Sequence, residues 1–306
     1  RRFGFERATT GLSAGLADPA IDVVDIATPN DSHHRITMAA LRRKKHVLCE
    51  KPLALSTEQA LEMAALARKQ RVCVGVWHNY RRALAARIVG RGEIGAVRQV
   101  RAVYLQDWLR DAAAEASWRT SRRLCGSGAH GDLNAHLIDL VRALTGLEFD
   151  AVCGVQQTFT KQRPDGRGGR AKVDVDDAFC FLARFRGGAI GTFEASRVAT
   201  GRKNHNRIEI SGTDGALRWN LERMNELELF RCADGADVQG FRTIQCMDGQ
   251  HPYAANWWPD GHTIGYEQTF VHHVVDFVRA LHGGERVRQD FTDGVAVQRV
   301  LDAALQ

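Results

Sequence analysis

The first third of the chain alternates short apolar runs with amphipathic stretches. Residues 21–27 (IDVVDIA), 46–49 (HVLC) and 71–76 (RVCVGV) suit buried strands. Residues 34–44 carry apolar side chains at helical spacing, and Ser56 begins a second helix in a capping arrangement with Gln59 three positions later. Strands that alternate with helices through short connections predict a parallel sheet with crossover helices.

From about residue 97 the pattern becomes a succession of strand-like runs. One is predicted at 97–108, and after a helix near 130–145 others follow at 151–160, 178–185, 189–196, 207–210, 216–220 and 226–230. Gly187-Gly188 and the turn at 213–215 punctuate them as hairpin turns would. Helices are also predicted at 262–281 and 294–304. Adjacent strands predict an antiparallel sheet, so this part is expected to be an α+β domain.

The change of rhythm predicts two domains, an α/β domain at 1–96 and an open-faced antiparallel sheet domain at 97–306. A Rossmann-type domain opens with a strand, a Gly-x-Gly-x-x-Gly turn and a helix, and no such arrangement precedes Ile21. We therefore expect an incomplete parallel sheet that lacks one or two strand–helix units of about 30 residues each. On this interpretation the chain is truncated at its N-terminus.

Composition limits the class of protein. The 306 residues are 44% hydrophobic and 25% charged, as in a globular protein with a sizeable core. No apolar run is long enough for a bilayer and the start does not resemble a signal peptide, so no membrane is expected. The seven scattered cysteines form no Cys-x-x-Cys pair, which argues against a disulfide framework or a zinc cluster and favours the cytoplasm.

The formal net charge of +6 suggests an anionic partner. The one dense basic run, residues 42–45 (RRKK), lies at the end of a predicted helix, where cations complement the macrodipole. The Arg/Gly stretch at 167–170 is expected to be a loop. Nucleic acid is therefore not predicted, whereas a dinucleotide pyrophosphate or a phosphorylated sugar would fit.

Three segments carry the candidate chemistry. Residues 28–33 (TPNDSH) and 49–53 (CEKPL) each follow a predicted strand, and residues 126–139 (GSGAHGDLNAHLID) open a predicted helix. In order, spacing and placement they resemble the Thr-Pro-Asn-x-x-His, Glu-Lys-Pro and glycine-rich Asp-x-x-x-His motifs of the Gfo/Idh/MocA oxidoreductases (the glucose–fructose oxidoreductase and inositol dehydrogenase family). The resemblance covers residues 1–306, and residues 104–108 and 201–204 are similar to the levoglucosan-dehydrogenase-like branch.

Three residues are the catalytic candidates. Asp132 and His136 are four apart, so a helix would place them on one face, with Asp139 on the same stripe. Oxidising a secondary alcohol needs a base that titrates near neutrality, which suits His136. Lys51 would stabilise the reacting oxygen, and Asp132 would bind an adjacent hydroxyl. The resemblance implies these roles, whereas the plain alternative is a surface helix whose Asp and His pair, with an exposed lysine.

The resemblance also implies NAD or NADP as the cofactor. The expected cofactor-binding residues are Thr28, Pro29, Asn30, His33, Glu50, Lys51, Pro52 and Arg81. Helix capping by Asp31 or Ser32 is the ordinary alternative around His33, and a structural salt bridge is the alternative for Arg81. The resemblance further suggests a cis peptide between Lys51 and Pro52.

The expected substrate-binding residues are Lys51, Trp108, Trp118, Asp132 and His136. The two tryptophans would stack on apolar sugar faces, or equally belong to the core. Asn134 departs from the family's usual Asp-x-Gly-x-His pattern, which puts close packing at the site in doubt. A metal site that also uses His130 is disfavoured, so no metal is expected.

The sequence therefore predicts an NAD(P)-dependent oxidoreductase. Its expected substrate is a secondary hydroxyl of a cyclic polyol, monosaccharide or anhydrosugar, bound in the cleft between the domains. Two alternatives are an NAD-dependent glycoside hydrolase or lyase that oxidises its substrate transiently, and a non-catalytic sensor or inactive fragment. The open face of the sheet predicts a homo-oligomer, a dimer or a tetramer.

Overall fold

The computed structural model describes residues 4–82, 92–283, 287 and 289–306. Residues 1–3 and 83–91, which belong to the domain predicted at 1–96, lie outside the described residues. The helices are α1 (Leu12–Ala17), α2 (His33–Arg42), α3 (Thr57–Gln70), α4 (Arg122–Cys125), α5 (Ala135–Thr145), α6 (Tyr266–Gly283) and α7 (Phe291–Ala304). The strands are β1 (Val23–Ile26), β2 (His46–Cys49), β3 (Val74–Val76), β4 (Val97–Leu105), β5 (Phe149–Gln157), β6 (Gln162–Pro164), β7 (Arg170–Lys172), β8 (Ala178–Phe185), β9 (Ile190–Ser196), β10 (His205–Gly212), β11 (Gly215–Asn220), β12 (Glu226–Arg231) and β13 (Arg242–Gln245).

Strands β1, β2 and β3 form a parallel sheet in that order, which confirms the predicted architecture of the first domain. Apolar side chains of the sheet pack with those of α2, α3 and α7, including Leu41, Met63 and Phe291, to form one core. Because the three strands run the same way, their carboxyl ends lie at a single edge of the sheet. The segments that carry Thr28 and Lys51 both leave the sheet at that edge.

The second sheet has eight strands in the order β13–β12–β11–β10–β4–β9–β8–β5. Its neighbours are antiparallel except for β4 and β9, which run parallel, so the prediction of an antiparallel sheet is wrong at that pair. The long connection between β4 and β9 contains α5 and can carry the chain back to the same end of the sheet. Hydrophobic periodicity is the same for either direction of pairing, so the sequence pattern could not distinguish them.

One face of this sheet covers the core and the other is open. On β8, Phe179, Phe181 and Phe185 are buried on the inner face, while Leu182 between them is 62% exposed. This alternation is the two-residue period of a half-buried strand. Helix α5 is buried along most of its length and joins the same core through Leu137 and Val141.

Several boundaries differ from the prediction. The third strand begins at Val74 and not at residue 71, because Arg71 ends α3 in the left-handed conformation with φ 56°. The run predicted at 97–108 ends as a strand at Leu105, and the run at 207–210 extends over His205–Gly212. Strands β6, β7 and β13 were not predicted, since their polar sequences (QRP, RAK and RTIQ) carry no apolar alternation.

The predicted cap of α3 is half right. The Ser56 hydroxyl accepts a hydrogen bond from the Gln59 backbone N–H at 3.3 Å, as expected. The Gln59 side chain, however, accepts from the Leu55 N–H at 3.2 Å and not from Ser56, so the reciprocal capping box is not formed.

Both C-terminal helices pack against the first domain, and α7 also joins the core of the large sheet through Val297 and Leu301. The carboxylate of Asp302 on α7 accepts hydrogen bonds from the backbone N–H and the hydroxyl of Thr57, at the start of α3. Phe277 of α6 packs with Trp77, just beyond β3. Helix α7 begins at Phe291, three residues before the predicted start at 294, because the Asp290 side chain caps it there. None of the described helices combines the length and apolar character that a membrane span requires.

Candidate active site

A cavity of about 340 Å³ opens where the carboxyl ends of β1 and β2 meet those of β4 and β9. Thr28 and Lys51 reach it from the ends of β1 and β2, and Tyr80 from the turn after β3. Gln106 and Arg197 reach it from the ends of β4 and β9. Because β4 and β9 are parallel, both of their carboxyl ends point to this cavity. Open α/β sheets bind ligands at this edge.

Lys51 and Asp132 are brought together, as the sequence predicts. The Lys51 Nζ donates to Asp132 Oδ1 at 2.7 Å and to the Asp132 backbone oxygen at 2.8 Å. Arg197, which the sequence analysis did not identify, donates from Nη2 to Asp132 Oδ2 at 2.9 Å. Burial raises the pKa of Asp132, but the Lys51 and Arg197 cations outweigh it and hold this pKa well below the ordinary carboxyl value. Asp132 is therefore an ionised bridge between two cations.

The segment that carries Asp132 is not the α-helix predicted from 130. Residues His130–Asn134 form a π-helical turn, in which backbone N–H groups pair five residues back, and the α-helix begins at Ala135. Asp132 and His136 are therefore not related by one regular turn of α-helix, as the prediction assumed. Both residues nevertheless line the cavity. Single π-helical turns are frequent at functional sites.

The glycine-rich stretch before this turn is held by Asp176. Its carboxylate accepts hydrogen bonds from the Gly128 N–H at 2.6 Å and the His130 N–H at 2.8 Å. A Cβ added at Gly128 would lie 1.8 Å from the Asp176 backbone oxygen. The chain can therefore pass this point only without a side chain, and the passage sets the start of the π-helical turn.

Substitution of Gly128 by alanine is expected to lower the free energy of unfolding by about 2–3 kcal/mol, because backbone atoms must move to admit the methyl group. Urea denaturation would measure it. Gly131→Ala is the matched control, since its Cβ would meet only the Ser127 side chain, whose hydroxyl at 2.5 Å can rotate away. Equal stability losses for the two variants would contradict this account.

His136 lies against the cavity with its ring packed among aromatic side chains. Its ring centroid is 4.6 Å from that of Tyr80 and 5.9 Å from that of Tyr104. Its Nδ1 is buried without a hydrogen-bond partner among the described residues. Burial first, and then the neighbouring Lys51 cation, lower the pKa of His136 well below the ordinary imidazole value. The ring is therefore neutral near pH 7 and able to accept a proton.

A hydroxyl and amide network that the sequence analysis did not identify completes the wall. The Tyr80 and Tyr104 hydroxyls lie 2.7 Å apart, and Tyr104 donates to Asn204 Oδ1 at 2.7 Å. Gln106 Nε2 donates to the same Asn204 oxygen at 2.9 Å. Tyr104 and Gln106 stood in the segment used for the family resemblance, but nothing local indicated which side chains would face the cavity.

Five of the eight expected cofactor-binding residues line the cavity: Thr28, Asn30, Glu50, Lys51 and Pro52. The Lys51–Pro52 peptide is cis, as the resemblance suggested. Glu50 is largely buried, which raises the pKa of its carboxyl group. Pro29 is adjacent in the chain but is not among the residues that line the cavity.

His33 is not among the residues that line the cavity. Its ring nitrogens are 2.9 Å from the Thr28 carbonyl oxygen and 3.0 Å from that of Pro52, so it links the two loops. Neither side chain proposed as a helix cap forms a capping bond at α2, and the Ser32 hydroxyl donates instead to the Pro29 carbonyl oxygen. The surroundings of His33 therefore indicate a structural link between loops.

Arg81 has the salt-bridge arrangement that was the alternative to a cofactor contact. Its Nε donates to Asp139 Oδ2 at 2.7 Å and its Nη1 to Asp293 Oδ2 at 3.2 Å. Asp139, predicted on the stripe of His136, is thus a buried partner of Arg81 and not part of the cavity wall.

The two candidate tryptophans differ. Trp118 lines the cavity, with the Arg119 guanidinium 4.2 Å from its ring centroid. Trp108 is 45% exposed and is not among the lining residues. Its indole donates to Gln106 Oε1 at 3.0 Å, so it contacts a lining residue from outside.

His130 and the unusual Asn134 form a structural pair. The Asn134 Nδ2 lies 3.0 Å from His130 Nδ1, and the other ring nitrogen lies 3.0 Å from the Leu301 carbonyl oxygen. The His130 ring stacks on Phe179 at 3.8 Å between centroids. The described residues contain no cluster of three or more His, Cys, Asp or Glu side chains that could hold a metal ion.

Acid is expected to destabilise the protein through such buried imidazoles. Burial lowers the pKa of His130 and of His78 from 6.5 to about 4. The unfolded chain then binds protons before the native state does, so stability is fully present above pH 6.5 and falls as the pH drops toward 4. Each of these two histidines should remove about 1.4 kcal/mol per pH unit over most of that interval.

Urea unfolding at pH 7.5, 6.0 and 5.0 would measure this loss. The variant His130→Gln is expected to reduce the pH dependence by about one proton, because glutamine does not titrate. Phe179→Leu, which alters the stacked ring, should instead lower stability by the same amount at every pH. An unchanged pH dependence in His130→Gln would exclude His130 as a source of the acid sensitivity.

Comparison with known proteins gives a consistent result. Residues 1–78 match the family model described as "Oxidoreductase family, NAD-binding Rossmann fold", and residues 83–218 match "GFO/IDH/MocA C-terminal domain". The chain is 40% identical to levoglucosan dehydrogenase of Pseudarthrobacter phenanthrenivorans, over 100% of this chain and 83% of that protein.

Two solved structures are similar throughout. An oxidoreductase domain protein from Kribbella flavida has a TM-score of 0.94 and 47% identity, covering 97% of this chain and 80% of that one. A levoglucosan dehydrogenase in complex with NADH and levoglucosan has a TM-score of 0.95 and 41% identity, covering 100% of this chain and 82% of that one.

Proposed function

The chain belongs to the GFO/IDH/MocA family of oxidoreductases with an NAD-binding Rossmann fold, and we propose that it oxidises a secondary hydroxyl of a cyclic polyol, monosaccharide or anhydrosugar. One observation carries this proposal. A lysine ammonium group and a neutral imidazole, Lys51 and His136, line the same cavity, and Asp132 is bonded to the lysine.

Each of these residues has a distinct chemical task. His136 accepts the proton of the substrate hydroxyl, which its neutral state permits. Lys51 donates a hydrogen bond to the same oxygen and stabilises the negative charge that develops there. Asp132 keeps the Lys51 side chain in place through Oδ1, and Arg197 fixes the other carboxylate oxygen. Asp132 can also accept a hydrogen bond from a neighbouring substrate hydroxyl.

The residues at the strand ends fit a nicotinamide cofactor. Thr28 and Asn30 line the cavity beside Lys51, and Asn30 is held by a hydrogen bond from its Nδ2 to the Cys125 carbonyl oxygen at 3.1 Å. The His33 link keeps this loop against the Lys51–Pro52 turn. These residues would hold the nicotinamide end, and the bound cofactor would accept the hydride. The choice of NAD over NADP follows the description of the matching family model.

The wall of the cavity supports a sugar-like substrate. Tyr80, Tyr104 and Gln106 offer hydroxyl and amide groups that suit substrate hydroxyls, while the Trp118 ring suits an apolar sugar face. The volume of about 340 Å³ is at the lower end of the range for small-molecule sites. The relative that acts on levoglucosan makes an anhydrosugar the first compound to test.

A substrate panel tests the proposal. Levoglucosan, myo-inositol, glucose and 1,5-anhydroglucitol would each be supplied with NAD⁺ and with NADP⁺, and absorbance at the reduced nicotinamide band followed. One reduced cofactor per oxidised hydroxyl is expected for at least one compound. Cleavage of a glycosidic or C–O bond without net reduced cofactor would instead support a hydrolase or lyase with transient oxidation. No turnover with any compound would refute the assigned substrate class.

We also expect self-association through the open face of the large sheet. Val155, Leu182 and Ile190 are more than half exposed on β5, β8 and β9, so the open face carries apolar side chains. Light scattering after gel filtration should give a dimer or tetramer, and Leu182→Glu should weaken this association; a monomeric wild type would contradict the expectation.

We further expect a reducing compartment. All seven cysteines are free thiols, in keeping with the cytoplasm.

A further inference from the structure

A second imidazole lies behind His136, on the side away from the cavity. His78 follows β3, is 1% exposed, and has no hydrogen-bond partner among the described residues at either ring nitrogen. Its ring centroid is 6.0 Å from that of His136, with the planes at 84°. The two rings are therefore in edge-to-face contact, and three of their buried nitrogens, two on His78 and Nδ1 on His136, have no hydrogen-bond partner among the described residues. Buried polar atoms are rarely left unpaired without a functional reason.

A buried carboxylate stands on the far side of His78. The His78 Nε2 is 3.9 Å from Asp139 Oδ1, a separation that a small movement or one bridging water closes. Asp139 is on α5, three residues after His136, so the two lie on neighbouring positions of one helix face. His78 thus lies within reach of both residues. A carboxylate that faces an imidazole stabilises the protonated form of that imidazole.

The charges around this group favour movement of a proton inward. Behind His136, the linked carboxylates of Asp139, Asp293 and Glu148 outnumber the guanidinium groups of Arg81 and Arg142, which leaves one net negative charge. On the cavity side, the Lys51 and Arg197 cations outnumber the Asp132 carboxylate.

Other ionisable groups nearby do not reverse this difference. Glu50 lies on the cavity side, and burial raises the pKa of its carboxyl group, which disfavours its charge there. From α6, His273 faces the group as a neutral ring, since burial lowers its pKa to about 2.

We propose that His78 is a positioning residue for proton transfer: it accepts a proton from His136 Nδ1 while His136 Nε2 takes the proton of the substrate hydroxyl, and Asp139 stabilises the resulting imidazolium. This proposal rests on the proposed function. The O–H bond of the substrate breaks and an N–H bond forms at His136 Nε2. At the same time the N–H bond at His136 Nδ1 breaks and one forms on His78, so charge moves inward and His136 returns to neutrality. After the product leaves, His78 returns this proton to His136 Nδ1, because burial lowers the pKa of His78 to about 4. The proton on His136 Nε2 then passes to water that enters the cavity, so both rings end in the forms in which they began.

Two substitutions of His78 separate a proton relay from packing and from hydrogen bonding. His78→Phe keeps the shape of the ring, and His78→Gln keeps a polar side chain, but neither carries a titrating nitrogen. Both are expected to lower kcat about 10- to 100-fold with KM changed less than about twofold, because only a proton-transfer step is lost. The solvent deuterium isotope effect on kcat should rise in both. Retained kcat in either variant would overturn the relay.

His273→Phe is the matched control. His273 is also fully buried, with both ring nitrogens unpartnered among the described residues, and it packs on Trp77 at 4.6 Å between centroids. Loss of this imidazole is expected to leave kcat within about twofold and the isotope effect unchanged, since it is not on the path to Asp139. A kcat loss in His273→Phe equal to that in His78→Phe would make the effect one of packing and overturn the proposal.

An experiment without turnover separates this inference from the proposed function. Long-range ¹H–¹⁵N spectra at pH 7 report which nitrogen of His136 carries its hydrogen. The relay requires hydrogen on Nδ1 and a free Nε2 in the wild type, a shift toward the Nε2–H form in His78→Phe, and no shift in His273→Phe. A wild type inactive on every substrate but with this pattern would refute only the proposed function. A wild-type His136 with hydrogen on Nε2 would refute the relay.

Discussion

Replacement of His136 by asparagine is expected to lower kcat about 10²- to 10⁴-fold with little change in KM, because asparagine cannot accept the proton of the substrate hydroxyl. The ring lines the cavity in its neutral state and packs against Tyr80 at 4.6 Å between centroids, so its removal leaves the Lys51–Asp132 pair intact. Steady-state kinetics with the substrate identified by the panel would measure the loss.

The pH dependence of the wild type provides a second readout for the same residue. His136 acts as a base only when it is unprotonated, and burial followed by the Lys51 cation lowers its pKa well below 6.5. The acid limb of the kcat/KM profile is therefore expected below pH 6.5, and activity should persist where an exposed imidazole would already be protonated. A limb at or above pH 6.5 would contradict this environment.

His34→Asn is the control for the loss of an imidazole. His34 lies on the surface of α2, where its Nε2 is 2.8 Å from Glu62 Oε2. It is not among the residues that line the cavity. This variant should retain wild-type kcat and KM. Near wild-type turnover in His136→Asn would show that another group removes the proton, and the assignment of His136 as the base would be wrong.

Replacement of Lys51 by methionine is expected to lower kcat/KM about 10²- to 10³-fold. Methionine keeps most of the length of the side chain but provides no donor to the oxygen that becomes negatively charged. It also leaves Asp132 Oδ1 without its 2.7 Å partner, so the carboxylate would be held by Arg197 alone. Because both effects weaken binding of the transition state, kcat should fall more than KM rises.

Lys45→Met is the matched control for this change. The Lys45 Nζ donates to the backbone oxygens of Asp18 at 3.0 Å and Ile21 at 2.6 Å, so it has two oxygen partners, as Lys51 has, but it does not line the cavity. Its replacement should affect stability more than kcat/KM. Lys51→Arg is expected to fail as well, since the planar guanidinium cannot occupy the position of a compact ammonium group. A fully active Lys51→Met would refute the role of Lys51.

Some features that the sequence predicted depend on local pattern. The parallel order of β1, β2 and β3 followed from alternating strands and helices, and the capping hydroxyl of Ser56 from its position before an apolar stripe. The three motifs placed Lys51, Asp132 and His136 at the ends of predicted elements, and all three line one cavity. The strand order could be predicted because burial of one face imposes a period on neighbouring residues, whereas the three residues came from motifs, and their catalytic roles stay predictions.

Other features required contacts between residues far apart in the chain. Arg197 meets Asp132 because β9 runs parallel to β4, and a strand reads the same in either direction of pairing. The π-helical turn at His130–Asn134 depends on Asp176, 46 residues after His130, which binds two N–H groups of the segment. Neither contact leaves a signal in local hydrophobic periodicity.

The sequence by itself determined the family, the order of the main helices and strands, and the candidates Lys51, Asp132 and His136, because these are set by residue type and near spacing. Only the tertiary structure decided which side chains surround those three. Arg81 carries a guanidinium that the sequence could assign equally to cofactor or salt bridge, and it is the folded position of Asp139 that pairs it. His78 likewise acquires its place behind His136 from long-range packing, since the free energy of burying a charge or an imidazole depends on neighbours in space.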